Sequence, residues 1–160
     1  MIILGIDPGL ADTGYGIIVK DKNNLSLIDY GCITTKPKDA FAKRLGYISA
    51  GLEKIIKKHK PKKIAVEEIF FCKNVKTALL VGQARGAIIV TCNSYKIPVY
   101  EFTPLEVKQA ITGYGKASKF QIQQMVKIIL RLHEIPRPDH ASDALAIAIC
   151  CANTIQYIKH

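Results

Sequence analysis

Acidic residues are the scarce charge in this chain: 13 Asp and Glu stand against 23 Lys and Arg, a formal charge of +10 at pH 7 with a pI near 9.4. Such an imbalance attracts polyanions through long-range potential and counterion release, which puts nucleic acid first among partners and anionic membrane surfaces second. The five cysteines, Cys32, Cys72, Cys92, Cys150 and Cys151, include no CxxC pair and no histidines at zinc-finger spacing. This excludes a disulfide framework and a structural zinc, and the thiols read as reduced, mostly buried fillers of small apolar sites. Continuous apolar runs such as Ala144 to Ala152 stop short of the roughly 18 residues that a membrane span needs. Met1 to Gly5 lacks both a basic stretch before its apolar residues and cleavage-site spacing, so no secretory signal is expected and the chain is read as cytoplasmic. Linkers, low-complexity segments and internal repeats are also lacking. With 49% hydrophobic residues in 160, the chain has enough apolar surface for one core, and residues 1–160 are read as one domain.

What is there alternates. Ile2 to Ile6 is a continuous apolar run of strand type, Tyr15 to Lys20 is a second after the turn residues Pro8, Gly9, Asp12, Thr13 and Gly14, and Leu25 to Ile33 completes a meander. Lys38 to Lys60 carries Phe41, Leu45, Ile48, Leu52, Ile55 and Ile56 at helical spacing and ends in Lys57-Lys58-His59-Lys60-Pro61, cations followed by a proline stop. Ile64 to Val66 reads as a short buried strand. Val75 to Asn93 reads as a helix apolar nearly all round, broken by Gln83 and Arg85, with Gly82 and Gly86 one turn apart. Val99 to Phe102 is a fifth strand, Pro104 opens a short helix, Lys119 to Leu132 is an amphipathic helix, and a last helix runs from Asp139 to about Ile158. A meander followed by strand-helix alternation predicts an α/β layered domain with the opening strand near the centre of the sheet, because that strand is apolar on both faces.

Three places hold carboxylates where apolar residues would be cheaper. Asp7 closes the first strand, and Glu67 and Glu68 close Ile64-Ala65-Val66. Carboxylates at the ends of interior strands are costly to desolvate unless paired or bound to a cation. The third place is Pro138-Asp139-His140-Ala141-Ser142-Asp143, at the opening of a wholly apolar helix. Asp139 stands where an N-cap would accept backbone N–H bonds, while Asp143 can share a helix face with either His140 or Asp139. Periodicity does not choose between those two. Carboxylates of this kind on a basic chain suit hard divalent cations, and paired metals can drive phosphodiester cleavage. A nucleophilic alternative finds no support: Ser49, Ser94, Ser118 and Ser142 lack a nucleophile-elbow context.

Taken in order, Gly5-Ile6-Asp7-Pro8-Gly9, Thr13-Gly14-Tyr15-Gly16, Ala65-Val66-Glu67-Glu68, Gly82-Gln83-Ala84-Arg85-Gly86 and Asp143-Ala144-Leu145-Ala146-Ile147-Ala148 closely resemble the RuvC family of bacterial Holliday junction resolvases, essentially end to end. The resemblance implies a ribonuclease H-like fold, a five-stranded mixed sheet flanked by helices, with acidic residues of the first strand, the fourth strand and the last helix meeting in one cleft. It implies metal-binding roles for Asp7, Glu67 and Asp143, and places His140 at a position that the family fills with Asp or His, leaving Asp139 as the cap. Mg²⁺, two ions per site, is the implied cofactor, with Mn²⁺ a substitute because a neutral imidazole brings no negative charge. Phe70 matches the family's stacking aromatic, with Phe71 next to it, and Lys108 and Lys119 match lysines near the scissile phosphate. Lys73, Lys76, Arg85 and Lys116 are further candidates for DNA-backbone contact.

The activity implied is paired, symmetric nicking of four-way junctions in DNA recombination and repair, with the branch-migration proteins RuvA and RuvB as partners. Two symmetric nicks from one site per chain require a homodimer, for which the Val75 to Asn93 helix offers the surface. Three other readings fit parts of the sequence. The opening Asp-Pro-Gly also resembles the phosphate loop of actin-like ATPases, but those need two such domains. A non-catalytic junction-binding module conflicts with the intact set of Asp7, Glu67, His140 and Asp143. A RuvC-like nuclease acting on structured RNA is separated by comparing cleavage of the two substrates.

Overall fold

Along the chain the elements are β1 (Ile2–Asp7), β2 (Asp12–Asp21), β3 (Asn24–Thr34), α1 (Phe41–His59), β4 (Lys63–Glu67), α2 (Val75–Ser94), β5 (Val99–Phe102), α3 (Pro104–Thr112), α4 (Lys119–Ile129) and α5 (Asp139–Thr154). The structure, a computed structural model, describes residues 1–68 and 74–154. Phe70, Phe71, Cys72 and Lys73, and the last helix beyond residue 154, lie outside the described residues.

The strands form one mixed sheet in the order β3-β2-β1-β4-β5. The apolar opening strand is central, antiparallel to β2 and parallel to β4, and β5 runs parallel to β4 at the edge. Strand alternation then sorts the side chains into two layers. Leu4 and Ile6 of β1, Ile17 of β2, and Ile64 and Val66 of β4 pack with Ile48, Leu52 and Ile56 of α1 and Ala84, Ile88 and Cys92 of α2. Ile3, Ile18 and Ala65 point the other way, into a core with Val107 and Ile111 of α3, Val126 of α4 and most of α5. Asp7 and Glu67 follow the parity of Ile3 and Ala65, so both carboxylates belong to the α5 side of the sheet.

Glycines bring α5 close to that side. A Cβ on Gly5 would stand 2.1 Å from the carbonyl oxygen of Ala144, and one on Gly14 would stand 2.0 Å from that of His140. The helix therefore lies with its backbone against β1 and β2, closer than any side chain would permit.

Several element ends depart from the sequence reading. α1 begins at Phe41 rather than Lys38, because Lys36 to Asp39 close a turn, with the Asp39 N–H donating to the Lys36 carbonyl at 3.1 Å. α4 stops at Ile129, short of Leu132: Leu130 caps it and Arg131 takes a left-handed φ of 54°. A third correction concerns membrane spans. Counting only uninterrupted apolar runs overlooked α2, whose 20 residues include a window of mean hydropathy 1.3, long and apolar enough to cross a membrane by length and composition. Its interruptions have work inside the fold: Arg85 donates to the Glu67 carbonyl at 3.1 Å and pairs with Glu101 of β5. Among the described residues the cysteines are free, and Cys92, Cys150 and Cys151 are buried. Burial pushes these three thiols up to about 12, 11 and 12 respectively.

Candidate metal centre and nucleic-acid interface

The register between β1 and β4 pairs Ile6 with Val66, so Asp7 and Glu67 leave the carboxyl ends of neighbouring parallel strands side by side. The first turn of α5 crosses above Gly14, the β2 partner of Asp7. His140 and Asp143, one turn apart, are thereby lowered onto Asp7. One ligand atom from each of Asp7, His140 and Asp143 lies within 4.8 Å of the other two.

Internal partners hold these groups. His140 Nδ1 lies 2.7 Å from Asp7 Oδ2, and Lys119 Nζ donates to Asp143 Oδ2 at 2.9 Å. The hydrogen bond to Asp7 outweighs burial and raises the His140 pKa above its ordinary value. Asp143 is raised by burial, against the pull of Lys119. Burial opposes the charge on Lys119 as well, but the hydrogen bond and charge of Asp143 hold its pKa up.

Glu67 stands a step apart from this triplet. It shares a cavity of about 200 Å³ with Asp143, Lys108 and Lys119, between Pro104 and Val107 of α3 and Ile122 of α4. Burial first, then repulsion from Asp7 and Asp143, lifts its pKa to about 7. A cluster of acids this strongly coupled, with two of them raised, favours any cation that relieves the repulsion. The donor set, hard carboxylate oxygens with one imidazole nitrogen, fits a divalent ion of the magnesium and manganese kind.

The structure reassigns Asp139. The residue is the first of α5 rather than its cap, and its carboxylate accepts from Arg137 at 2.6 Å and from Gln123 Nε2 at 3.1 Å instead of from backbone N–H groups. Lys119 Nζ is 3.5 Å away. Asp139 thus ties α4 to α5 and helps hold Lys119 over the cleft. Gln123, a buried amide on α4, escaped the sequence reading because its role depends on two helices meeting.

Of the lysines singled out, Lys108 and Lys119 line the cleft, while Lys116 and Lys76 are exposed. Arg85 is engaged within the chain, as described, with its side chain 20% exposed. α2 turns a row of apolar and small residues outward: Val75, Leu79 and Val90 are 69%, 62% and 71% exposed. Gly86, on the same row, has nothing among the described residues within 4 Å of where a Cβ would stand.

Comparison with known proteins places this geometry. Residues 3–151 match the family profile described as Crossover junction endodeoxyribonuclease RuvC. A curated protein of that description from Alkaliphilus oremlandii is 53% identical over 154 residues, covering 96% of this chain and 94% of its own. The solved structure of Thermus thermophilus RuvC superposes with a TM-score of 0.90 at 37% identity, over 98% of this chain and 96% of that one. The same protein in complex with Holliday junction substrate superposes with a TM-score of 0.91 at 34% identity, over 99% and 97%. The α/β architecture is the ribonuclease H-like fold of those structures.

Proposed function

This chain belongs to the crossover junction endodeoxyribonuclease RuvC family, and from that premise we propose that it resolves Holliday junctions with a metal centre built from Asp7, Glu67, His140 and Asp143. As a member of that family it is an endonuclease acting on DNA junctions. The observation that carries the site assignment is the convergence of Asp7, His140 and Asp143 within 4.8 Å on a strongly basic chain.

Divalent metal, when bound there, supplies an activated water and a charge partner for the leaving oxygen in phosphodiester hydrolysis. Mg²⁺, as two ions, is the proposed cofactor and Mn²⁺ the proposed substitute. The protein's own contribution is electrostatic preparation. Asp7 and Asp143 present carboxylate oxygens held by His140 and Lys119. His140 must offer a proton-free nitrogen to serve as a ligand, and Glu67 must lose the proton that its raised pKa of about 7 favours near neutrality. Lys119 and Lys108, on the cleft walls, are positioned to meet a phosphate that approaches the carboxylates.

Lys108, Lys116, Lys119 and Lys76 are the proposed DNA contacts, with Phe70 and Lys73 from the segment outside the described residues, whereas Arg85, tied to the Glu67 carbonyl and Glu101, is left to a structural role. Paired nicks call for two chains, and the exposed row of α2 is the proposed homodimer surface. RuvA and RuvB are the proposed branch-migration partners, and the cytoplasm the proposed compartment.

The deciding experiment is cleavage of an immobile four-way DNA junction and of a structured RNA, with and without Mg²⁺. The DNA junction is expected to be nicked only with metal, and the RNA left intact. Asp7→Asn, Glu67→Gln and Asp143→Asn are each expected to abolish cleavage while junction binding persists, because base and phosphate contacts hold the DNA. Near wild-type cutting by any of the three would remove that residue from the ligand set. His140→Asp is expected to move the acid limb of the pH–rate profile to lower pH. Identical limbs would exclude His140 as a ligand.

A further inference from the structure

Across the first turn of α4 from the metal cleft lies a second depression, about 320 Å³ in volume, that the proposed mechanism does not use. Tyr114 and Phe120 line it together with Ala117, Met125, Gln121 and Gln124. Both aromatics are open to solvent, Tyr114 58% exposed and Phe120 62%. An exposed phenylalanine and an exposed tyrosine lining one depression are unusual surface for a basic protein, and the volume is at the low end of the roughly 300–1,000 Å³ typical of small-molecule pockets.

Local structure fixes the backbone that carries the two rings. Gly113 takes a φ of 71° to end α3, and the Thr112 hydroxyl oxygen accepts from the Tyr114 N–H at 3.1 Å. Ser118 and Gln121 close a capping box at the start of α4, which sets the orientation of Lys119 and Phe120 as its first two residues. Successive residues on a helix diverge by about 100°. Lys119 is therefore turned to Asp143 and the cleft while Phe120 is turned to the depression.

We propose that this depression is a stacking subsite for one unpaired nucleobase of the DNA strand whose phosphate enters the metal cleft. The inference rests on the reading of this chain as a junction nuclease. Three observations favour a base as the occupant. The aromatic pair offers faces on which any base stacks. The lysines of the neighbouring cleft, Lys108 and Lys119, suit the phosphate backbone of the same strand, and the residues lining the depression include no carboxylate. Continuity with the cleft through adjacent residues of one helix turn puts the subsite within the first few nucleotides of the scissile phosphate. Gln124 adds an amide that can pair with a base edge.

The test uses the full chain, four-way junctions carrying a single abasic residue at each nearby position in turn, and the variants Tyr114→Ala, Phe120→Ala, the double variant and Phe120→Trp. Cleavage of the unmodified junction by the wild-type protein with Mg²⁺ tests the nuclease reading by itself. Given that activity, one abasic position is expected to raise the junction concentration for half-maximal cleavage by about tenfold, as loss of a base–aromatic stack does. The double variant should show the same rise on the unmodified junction, with no further rise from the abasic residue, and Phe120→Trp should restore tight binding. Melting temperatures identify any variant that is misfolded, and Phe120→Trp provides a readout independent of truncation. Wild-type junction dependence in the double variant would overturn the proposal, as would additive effects of the variant and the abasic residue. Failure of Phe120→Trp to rescue, or a changed mass of the double variant in light scattering, which would mark a protein contact, would overturn it too.

Discussion

α2 and α5 are similarly apolar in sequence, yet the fold uses them in opposite ways. Eleven of the 16 residues of α5 are buried, against four of the 20 in α2. α5 gains its burial from small residues on the sheet: Gly5, Gly14 and Gly16 leave room for its backbone, with Leu145 against Gly16. α2 meets the sheet and α1 through Ala84, Ile88, Thr91 and Cys92 and leaves Leu79 and Val90 to solvent. Hydrophobicity alone does not decide burial. The surface opposite does, because close packing depends on the shapes of both partners. Each helix has a use that fits its setting: α5 delivers two metal-site residues to a fixed place, and α2 keeps a face free for the proposed second chain.

The sharpest way to break this contrast is to add one methyl group on each side. Gly5→Ala and Gly14→Ala place a Cβ about 2 Å from α5 carbonyl oxygens, and each is expected to cost about 4 kcal/mol or more, in the range diagnostic of a forced rearrangement. Chemical denaturation checks this, and wild-type stability of either variant would show that α5 can move away at little cost.

The next effect in size belongs to Glu67. Its pKa is about 7 in the folded chain against 4.5 as the ordinary value, so between those pH values the folded state binds the proton that the unfolded state has released. Stability is therefore present below pH 4.5 and lost as pH rises to 7. Glu67→Gln removes the loss and should stabilise the metal-free protein by up to about 3 kcal/mol at pH 8. At pH 4 it should do almost nothing. Melting curves at the two values read this directly, and an equal shift at both would mean that packing rather than charge is responsible.

The smallest effects are expected on α2. Gly86→Ala, with open space around its new methyl, should stabilise the chain by about 0.5–1 kcal/mol through helix propensity. Gly86→Glu should leave chain stability within about 0.5 kcal/mol while converting the proposed dimer to monomers that leave junctions singly nicked. Light scattering of wild-type protein at micromolar concentration sharpens the comparison: one chain per particle, with full resolving activity, would sink the dimer.

Residue order alone determined much of this protein. Asp7 and Glu67 stood out as carboxylates at the ends of apolar strands, the apolar opening strand announced its central position, and the ordered motifs pointed to the family and, through it, to a common cleft. The positive balance of charge points to nucleic acid independently of the fold. What the tertiary structure decided were relations between distant segments. Asp139 and His140 are equivalent by periodicity; the family resemblance singles out His140 but leaves Asp139 as a cap, and only the seating of α5 on Gly14 turns His140 to Asp7 and Asp139 to Gln123 and Arg137. Arg85 likewise reads as a free surface cation until β4 and β5 bring the Glu67 carbonyl and Glu101 to it. Local patterns record which way a side chain points from its own backbone. The groups that it meets depend on how close two elements can approach, and that is set by packing across the sheet.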